Sequence, residues 1–388
     1  MAATMRDAFL LDPDLIFLNH GSFGACPREV FAKYQQWQLE LERNPVEFLG
    51  RRSGVLLADA RARLGAHLGA SGDDLVFVPN ATTGVNIVAR SLSLQAGDEV
   101  LATDHEYGAC DATWEFVCQR VGAHYRRVPV PLPFEPDAWA SRLLAAAGPR
   151  TKLIFASHLT STTALMFPVA QLCAGARQAG IRTHIDGAHP PGQVALDLLA
   201  IGADFYTGNC HKWLCAPKGS AFLHVRPERQ AETHATVVSW GYLAGVGGHS
   251  GFDAYTGKSG FERRLQWQGT RDLAAFLSVP AAVEFQARHD WPRLRAHCHG
   301  QALATLHAVT ARNGLAPIAA DDSFAQMVTI PVRAANAEAL RSHLFERHRI
   351  EVPVTQHGAH TFVRVSVQAY NTQAELETLI SALALAGV

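Results

Sequence analysis

Apolar residues along this chain recur with two periods, and the periods alternate. Short β-prone runs at Leu75–Val78, Val100–Thr103, Lys152–Ser157 and Ile181–Ile185 predict strands, and another begins at Asp204-Phe205-Tyr206. Between them, apolar positions at three- and four-residue steps predict helices: Val85, Val88 and Leu92 in one, and Cys110, Trp114, Val117 and Val121 as the buried stripe of another. Earlier in the chain, IFLNHGSFGACP predicts a short strand followed by a helix starting at Pro27. Val30, Tyr34, Trp37 and Leu41 give that helix one apolar face until Asn44-Pro45 ends it. Pro190, Pro191 and Gly192 break the chain after Asp186, and Val194–Ala200 predicts one short helix before the next strand. A right-handed crossover in that unit lays its two strands parallel in one sheet.

The later part reads differently. Val279–Val309 predicts a long helical stretch leading into a smaller domain, where Ala325–Val332, Ala337–His348, Thr361–Val367 and Thr372–Ala386 alternate strand, helix, strand, helix. Thr372 and Glu375 have the spacing of a capping box. Val237–Lys258 is rich in glycine, as mobile active-site loops often are.

Composition narrows the class. With 388 residues and 48% hydrophobic content the chain can fill two domains that share a crevice. A formal charge of −1 and a pI near 7.0 supply no attraction to nucleic acid or an anionic membrane. No apolar run approaches the roughly 20 residues that span a bilayer, and Met1–Leu10 is too short for a secretory signal, so the expected location is the cytoplasm. Seven cysteines without a CxxC pair predict reduced thiols, with Cys110, Cys118 and Cys173 in the core. Nineteen histidines are many for this length, and His184, Asp186 and His189 could be read as a hydrolase metal site. No second cluster supplies the usual supporting carboxylate, and no metal is expected.

The chemistry gathers at strand ends. Ligands of parallel sheets collect at the carboxyl ends of the strands, where Asp186 and the Asn209-Cys210-His211-Lys212 turn fall. An acid and an amine facing one crevice suit pyridoxal 5′-phosphate (PLP). Lys212 would hold its aldehyde as a Schiff base, and Asp186 would keep its pyridine nitrogen protonated. Spacing alone leaves open a solvated loop lysine and an ordinary strand-end cap. Leu75–Val78 running into Pro79-Asn80-Ala81-Thr82-Thr83-Gly84 predicts a strand-to-helix anion cradle from free backbone N–H groups and the Thr82 and Thr83 hydroxyls, although threonine is also a common N-cap. An aromatic in Asp104-His105-Glu106-Tyr107-Gly108 would cover one face of the cofactor ring, or else be a surface tyrosine at a helix start. Arg51 and Arg52 read first as a solvated helix end.

The run DGAHPPGQVALDL followed by GADFYTGNCHKWLCAPKGSAFL resembles the cofactor region of class V aminotransferase-like enzymes, most closely the isopenicillin N epimerase-like branch, and RNPVEFLGRR is similar to the same branch. The resemblance extends from LNHGSFG to RVSVQAYNT and implies a fold type I PLP-dependent α/β architecture. That means a large PLP-binding domain with a mostly parallel sheet (26–278), a small C-terminal α+β domain (279–388), and an N-terminal segment (1–25) at their junction. It implies Lys212 as the Schiff-base lysine, with Asp186 and His189 as its catalytic partners. His189 aligns where many relatives carry glutamine and would donate to the cofactor phenolic oxygen. Ala81, standing where relatives have glycine, would still offer its N–H beside Thr82 and Thr83. Tyr107, rather than His105, would stack on the ring. Ser161 stands where desulfurases carry an asparagine, at the position for contact with the ring hydroxyl. Asn209 and His211 match phosphate-binding positions. Thr270, in WQGTR, matches a turn that reaches the phosphate of a neighbouring subunit, which implies a homodimer with shared sites. Arg364, in VRVSVQAYNT, aligns with the arginine that grips the substrate α-carboxylate, and Asn19 joins it as a candidate substrate-binding residue.

The implied reaction labilises the α-carbon of an amino-acid or peptide-like small molecule, with epimerisation as the first reading. The alternative is carbon–sulfur lysis of a cysteine conjugate of the hercynylcysteine sulfoxide type. Transamination ranks behind both, as does desulfuration, because no cysteine follows Cys298 to serve as the desulfurase nucleophile. A binding protein that kept the fold without the chemistry ranks last, since acid, lysine and phosphate groups are all retained.

Overall fold

The computed structural model describes residues 5–245 and 257–388, so the middle of the glycine-rich stretch 237–258 lies outside the described residues. The first strand is the two-residue Ile16–Phe17 (β1). Seven strands then form one sheet: Leu75–Val78 (β2), Glu99–Thr103 (β3), His124–Val128 (β4), Thr151–Ser157 (β5), Arg182–Gly187 (β6), Phe205–Asn209 (β7) and Ala221–Val225 (β8). Their spatial order is β2-β8-β7-β6-β5-β3-β4, and only β8 runs antiparallel to its neighbours. The predicted crossover unit is present, with Asp186 in register with Thr207 across β6 and β7. β2, β5, β6, β7 and β8 are almost wholly buried, as expected where helices cover both faces of a parallel sheet.

The C-terminal part carries Met327–Val332 (β9), Ile350–Glu351 (β10), Val354–His357 (β11) and His360–Ser366 (β12). β11, β12 and β9 make an antiparallel three-stranded sheet, while β10 pairs in parallel with β1. Helices Trp291–Asn313 and Gln373–Leu385 pack in this region, the first of them against β9. The second opens with the predicted capping box, complete in both directions.

Local differences from the sequence reading have local causes. The short helix after Gly192 is only Leu198–Ile201, because Asp197 caps it by accepting from Ala200 N–H at 2.9 Å. Val279–Val309 is two helices, Val279–Arg288 and Trp291–Asn313. Pro292 belongs to the first turn of the second, and Asp290 before it takes a left-handed φ of 45°. Val121 is 40% exposed, so the helix Gly108–Val121 buries Cys110, Trp114 and Cys118 rather than the full predicted stripe.

The N-terminal segment is tied to distant parts of the chain. β1 pairs with β10, Gly21 N–H donates to Ser366 Oγ at 3.2 Å, and His20 bridges the Tyr370 hydroxyl and the Lys212 carbonyl, both at 3.0 Å. Two glycines then close on the turn that carries Lys212. Gly24 has a φ of 70° and a Cβ there would stand 2.0 Å from the His211 carbonyl oxygen; Gly192 has a φ of 84° and its Cβ would stand 2.3 Å from the Trp213 oxygen. Any side chain at either position must displace the turn.

Gly24→Ala is therefore expected to cost about 3 kcal/mol or more, from left-handed strain plus the clash. Gly180→Ala, at a φ of 70° with open space around it, should cost only the strain, about 1–2 kcal/mol. Denaturant midpoints of the two variants make the comparison, and equal losses would show that the Lys212 turn yields freely.

Candidate active site

The carboxyl ends of β2, β3, β5, β6 and β7 face a cavity of about 370 Å³. Each strand delivers something different to it: Asn80, Ala81 and Thr82 after β2, Tyr107 after β3, Ser157 and Ser161 from β5 and beyond, Asp186, Ala188 and His189 from β6, and Asn209, His211 and Lys212 from β7. This is the location that parallel sheets offer to ligands.

Lys212 is half-buried on the cavity wall, and its partial desolvation, with help from the Arg364 charge, lowers its amine from 10.5 to about 8; Asp186 pulls in the opposite direction. Its Nζ lies 3.4 Å from His189 Nε2. Trp213 Nε1–H donates to His189 Nδ1 at 3.3 Å. That leaves the proton of the neutral imidazole on Nε2, aimed at the amine, and burial holds the ring well below its usual pKa so that it stays neutral. Asp186, 4% exposed, has its carboxyl pKa raised by burial. One oxygen accepts from Ala188 N–H at 2.9 Å, the other from the Cys110 thiol at 3.5 Å. Neither donor is cationic, so a protonated ring nitrogen would meet an acid with electrostatic demand to spare.

The anion side is built from side chains more than from the helix start. Asn80 caps the helix Ala81–Ser91 by accepting from both Thr83 N–H and Thr83 Oγ1. Thr83 is thereby occupied and does not line the cavity. Ala81 does line it, but its N–H donates to Asn209 Oδ1 at 2.8 Å, so the expected free N–H is already engaged. Asn80, Thr82, Asn209 and His211 remain on the wall, with His211 Nδ1 set 3.0 Å from Ser220 O.

Arg364 sits one layer back. It is 4% exposed and donates to Ser161 O at 2.5 Å, to Ser161 Oγ at 3.2 Å and to Ser22 Oγ at 2.9 Å. Its Nε has no hydrogen-bond partner among the described residues. Ser161 thus spends its oxygens on the arginine. Asn19 lies further behind, accepting from Ser22 Oγ at 2.5 Å and donating to Glu351 at 3.2 Å, so it orients Ser22 rather than facing the cavity. Phe23 and Tyr107, 73% and 48% exposed, flank the opening.

Tyr107 stands on the wall while His105 is buried away from it, against Thr163 and Val130. Thr270 is exposed and does not line this chain's cavity. His184, Asp186 and His189 do not come together as a metal site; His184 is buried among Trp114, Phe155 and Phe205 with neither ring nitrogen hydrogen-bonded among the described residues. Sequence reasoning missed Ser22, Phe23, Asn80 and Ser157 as wall residues. Asn80 could have been found as the better N-cap in PNATTG. It also read Cys110 as core only, whereas its thiol touches Asp186. Behind Ser157, Glu106 accepts from Ser157 N–H, Ser157 Oγ and Thr103 Oγ1; burial pushes this acid up to about 8 against those donors.

The chain is similar to known proteins over nearly its whole length. The sequence model described as "Aminotransferase class-V" matches residues 17–379. The isopenicillin N epimerase of Streptomyces clavuligerus is 39% identical over 384 residues, covering 97% of this chain and 96% of its own. A probable chloroplastic L-cysteine desulfhydrase of Arabidopsis thaliana is 29% identical over 96% of this chain and 83% of its own. Among solved structures, a lysine-to-alanine mutant of C-DES with glycine covalently linked to its PLP cofactor superposes with a TM-score of 0.84, at 22% identity, over 96% of this chain and 97% of that one. The residues present fit PLP: Lys212 for its aldehyde, Asp186 for its ring nitrogen, and the Asn80, Thr82, Asn209 and His211 wall for its phosphate.

In cofactor-free protein, acylation of Lys212 followed across about pH 6–10 is expected to show a midpoint near 8. Asp186→Asn should move it lower, because the variant removes the negative charge that favours the ammonium form. A midpoint near 10.5 in the parent chain would refute the burial argument.

Proposed function

Since the chain belongs to the aminotransferase class-V family, whose members are PLP-dependent enzymes, we propose that it removes the α-proton of an amino-acid or peptide-like substrate and returns one, acting as an epimerase. One observation carries the reading: a half-buried amine lowered to about 8 and a buried acid share a single cavity at the strand ends. When bound, PLP supplies the electron sink that weakens the bonds at the α-carbon. The chain supplies the rest. Lys212 Nζ takes the α-proton, since an amine near pH 8 is partly free base at neutral pH. Asp186 keeps a proton on the ring nitrogen, and His189 Nε2–H, fixed by Trp213, donates into the same space. Ser22 and Ser161 hold Arg364 from either side, leaving its charge to fix a substrate carboxylate as they reorient. Phe23 and Tyr107 restrict water at the opening.

Epimerisation needs a proton donor on the face opposite Lys212. Tyr107 is the phenol on the wall, and the other titratable wall residues are Asp186, His189, His211 and Lys212 itself. The 39% identity to an isopenicillin N epimerase along nearly the whole chain favours this reading. β-Elimination at a carbon–sulfur bond is the second reading, favoured by the relationship to L-cysteine desulfhydrases; it needs Lys212 as base and a leaving group at Cβ. Persulfide transfer is disfavoured, because all seven cysteines are buried and none lines the cavity. We further read the chain as a homodimer in which the exposed Thr270, after Gly269 at a φ of 106°, reaches the phosphate of the neighbouring subunit. The large domain 26–278, the small domain 279–388 and the segment 1–25 are proposed as the working units. Among the described residues no helix is long and apolar enough to cross a membrane, and with seven free thiols we place the protein in the cytoplasm.

In deuterated buffer the expected result with amino-acid or peptide-like substrates is a deuterated mixture of both α-epimers, without keto acid. Release of a 2-keto acid and ammonia from a cysteine conjugate, with no epimer exchange on any substrate, would replace the epimerase with the lyase.

Mixing Thr270→Ala with Lys212→Ala subunits tests the shared site. Hybrid dimers should regain activity by pairing the intact threonine and lysine in one site, whereas activity no greater than that of the separate variants would exclude a Thr270 contribution across the interface.

A further inference from the structure

Outside the cavity, the turn after β3 and the end of β11 bring three metal-ligating side chains together. His105 Nε2 is 3.8 Å from Asp104 Oδ1, and His357 Nε2 is 3.9 Å from Asp104 Oδ2. The two imidazole rings stand 3.9 Å apart between centroids, and one ligand atom from each of the three residues lies within 4.8 Å of the others. This is the one such grouping among the described residues, and none of its members lines the cavity described above. Two imidazoles and a carboxylate form a donor set for a borderline-soft divalent ion. Around tetrahedral zinc, with bonds of about 2.0–2.2 Å, ligand atoms stand about 3.4 Å apart, so side-chain adjustments of about 1 Å would close the set.

The surroundings of His105 select the atom that would bind. Its Nδ1 lies 2.8 Å from Thr163 Oγ1, which lies 2.8 Å from Thr160 Oγ1, which in turn accepts Leu165 N–H at 2.8 Å. A relay from His105 Nδ1–H to Thr163 and from Thr163 to Thr160 leaves the Nε2 lone pair free, with the other ring nitrogen held by a hydrogen bond as in ligating histidines. Val130 O is 3.2 Å from that Nε2, and Val130 N–H donates to Asp104 Oδ1 at 2.8 Å, fixing the carboxylate. With Nε2 unprotonated, carbonyl and imidazole lone pairs face each other, a repulsion that a cation relieves while gaining the carbonyl as a fourth ligand. Without an ion the other tautomer serves, Nε2–H donating to Val130 O. His105 is sealed from solvent, but Asp104 and His357 side chains are 35% and 18% exposed, which gives an ion its path in.

We propose that Asp104, His105 and His357 bind a divalent transition-metal ion of the zinc class, which pins the β11–β12 hairpin to the end of β3. The ion would be structural, joining the three-stranded sheet that carries Arg364 to the turn that carries Tyr107. The proposal does not depend on which reaction the cavity performs.

The test uses holoenzyme treated with chelator, dialysed against micromolar zinc and then against buffer, with metal and cofactor counted per chain. About one zinc per chain is expected, with a melting temperature several degrees above that of the chelated protein. His357→Ala and Asp104→Asn should lose both the zinc and the increment while keeping their cofactor. Cobalt(II) in place of zinc should give visible ligand-field bands that vanish in His357→Ala. Failure of the parent protein to retain zinc, or equal zinc and equal stabilisation in His357→Ala, would overturn the site.

Discussion

Removal of the Lys212 amine from water is the constraint on which the rest of the site depends. Its fall from 10.5 to about 8 represents roughly 3 kcal/mol against the ammonium form. Desolvation and the repelling Arg364 charge sustain this, beside a neutral imidazole, and they outweigh Asp186, whose negative charge favours the ammonium form. An amine left in solvent would be protonated at neutral pH, useless both as nucleophile and as base. The histidine depends in its turn on Trp213, the residue next to the lysine, so one short turn supplies both the amine and the donor that fixes its neighbour's tautomer.

Such a turn has to be rigid, and the backbone around it shows how that is achieved. Cys215 sits at a φ of 64°, its N–H returns to the Lys212 carbonyl, and Ala216 N–H closes on Cys210. Gly24 and Gly192 close on the turn from two separate segments. Left-handed backbone at a non-glycine residue persists only where its surroundings over-determine it, and here they do. The parallel strands add the other half of the positioning, since the carboxyl ends of β6 and β7 are adjacent by hydrogen-bond register and carry the acid and the amine side by side.

How much of this the sequence discloses depends on whether the deciding contact is local. β2 and the helix Ala337–His348 have the bounds that periodicity predicts, and the capping box of Thr372 and Glu375 is complete, because each is settled within a few residues. That Asp186 and the turn of Lys212 stand at the ends of neighbouring strands was legible because each strand is a short local run. The occupation of the Ala81 N–H by Asn209 was not, since the two are 128 positions apart, and neither was Ser22 as a holder of Arg364, 342 positions away. Cys110 shows a further limit. Its helical spacing says that it is buried, and only the register between that helix and β6 says that it is buried against an acid. β10 and β11, of two and four residues, were too short for periodicity to find.

The grip of His20 on both the Lys212 carbonyl and the Tyr370 hydroxyl also has a consequence in time. A ribosome delivers residue 20 long before residue 370, and the two must meet against a turn made midway between them. While the last strand and helix are still inside the exit tunnel, His20 lacks its second partner and the N-terminal segment has no β10 or Ser366 to pair with. The large sheet can form before then, since β2 to β8 are complete by Val225. The lysine turn cannot be sealed from water. Contacts between the two ends of a chain carry the largest loop-closure cost and come late in folding. The contacts that hold His20 against the Lys212 turn therefore wait on the strand and helix around residue 370, long after the sheet that carries the turn has been made.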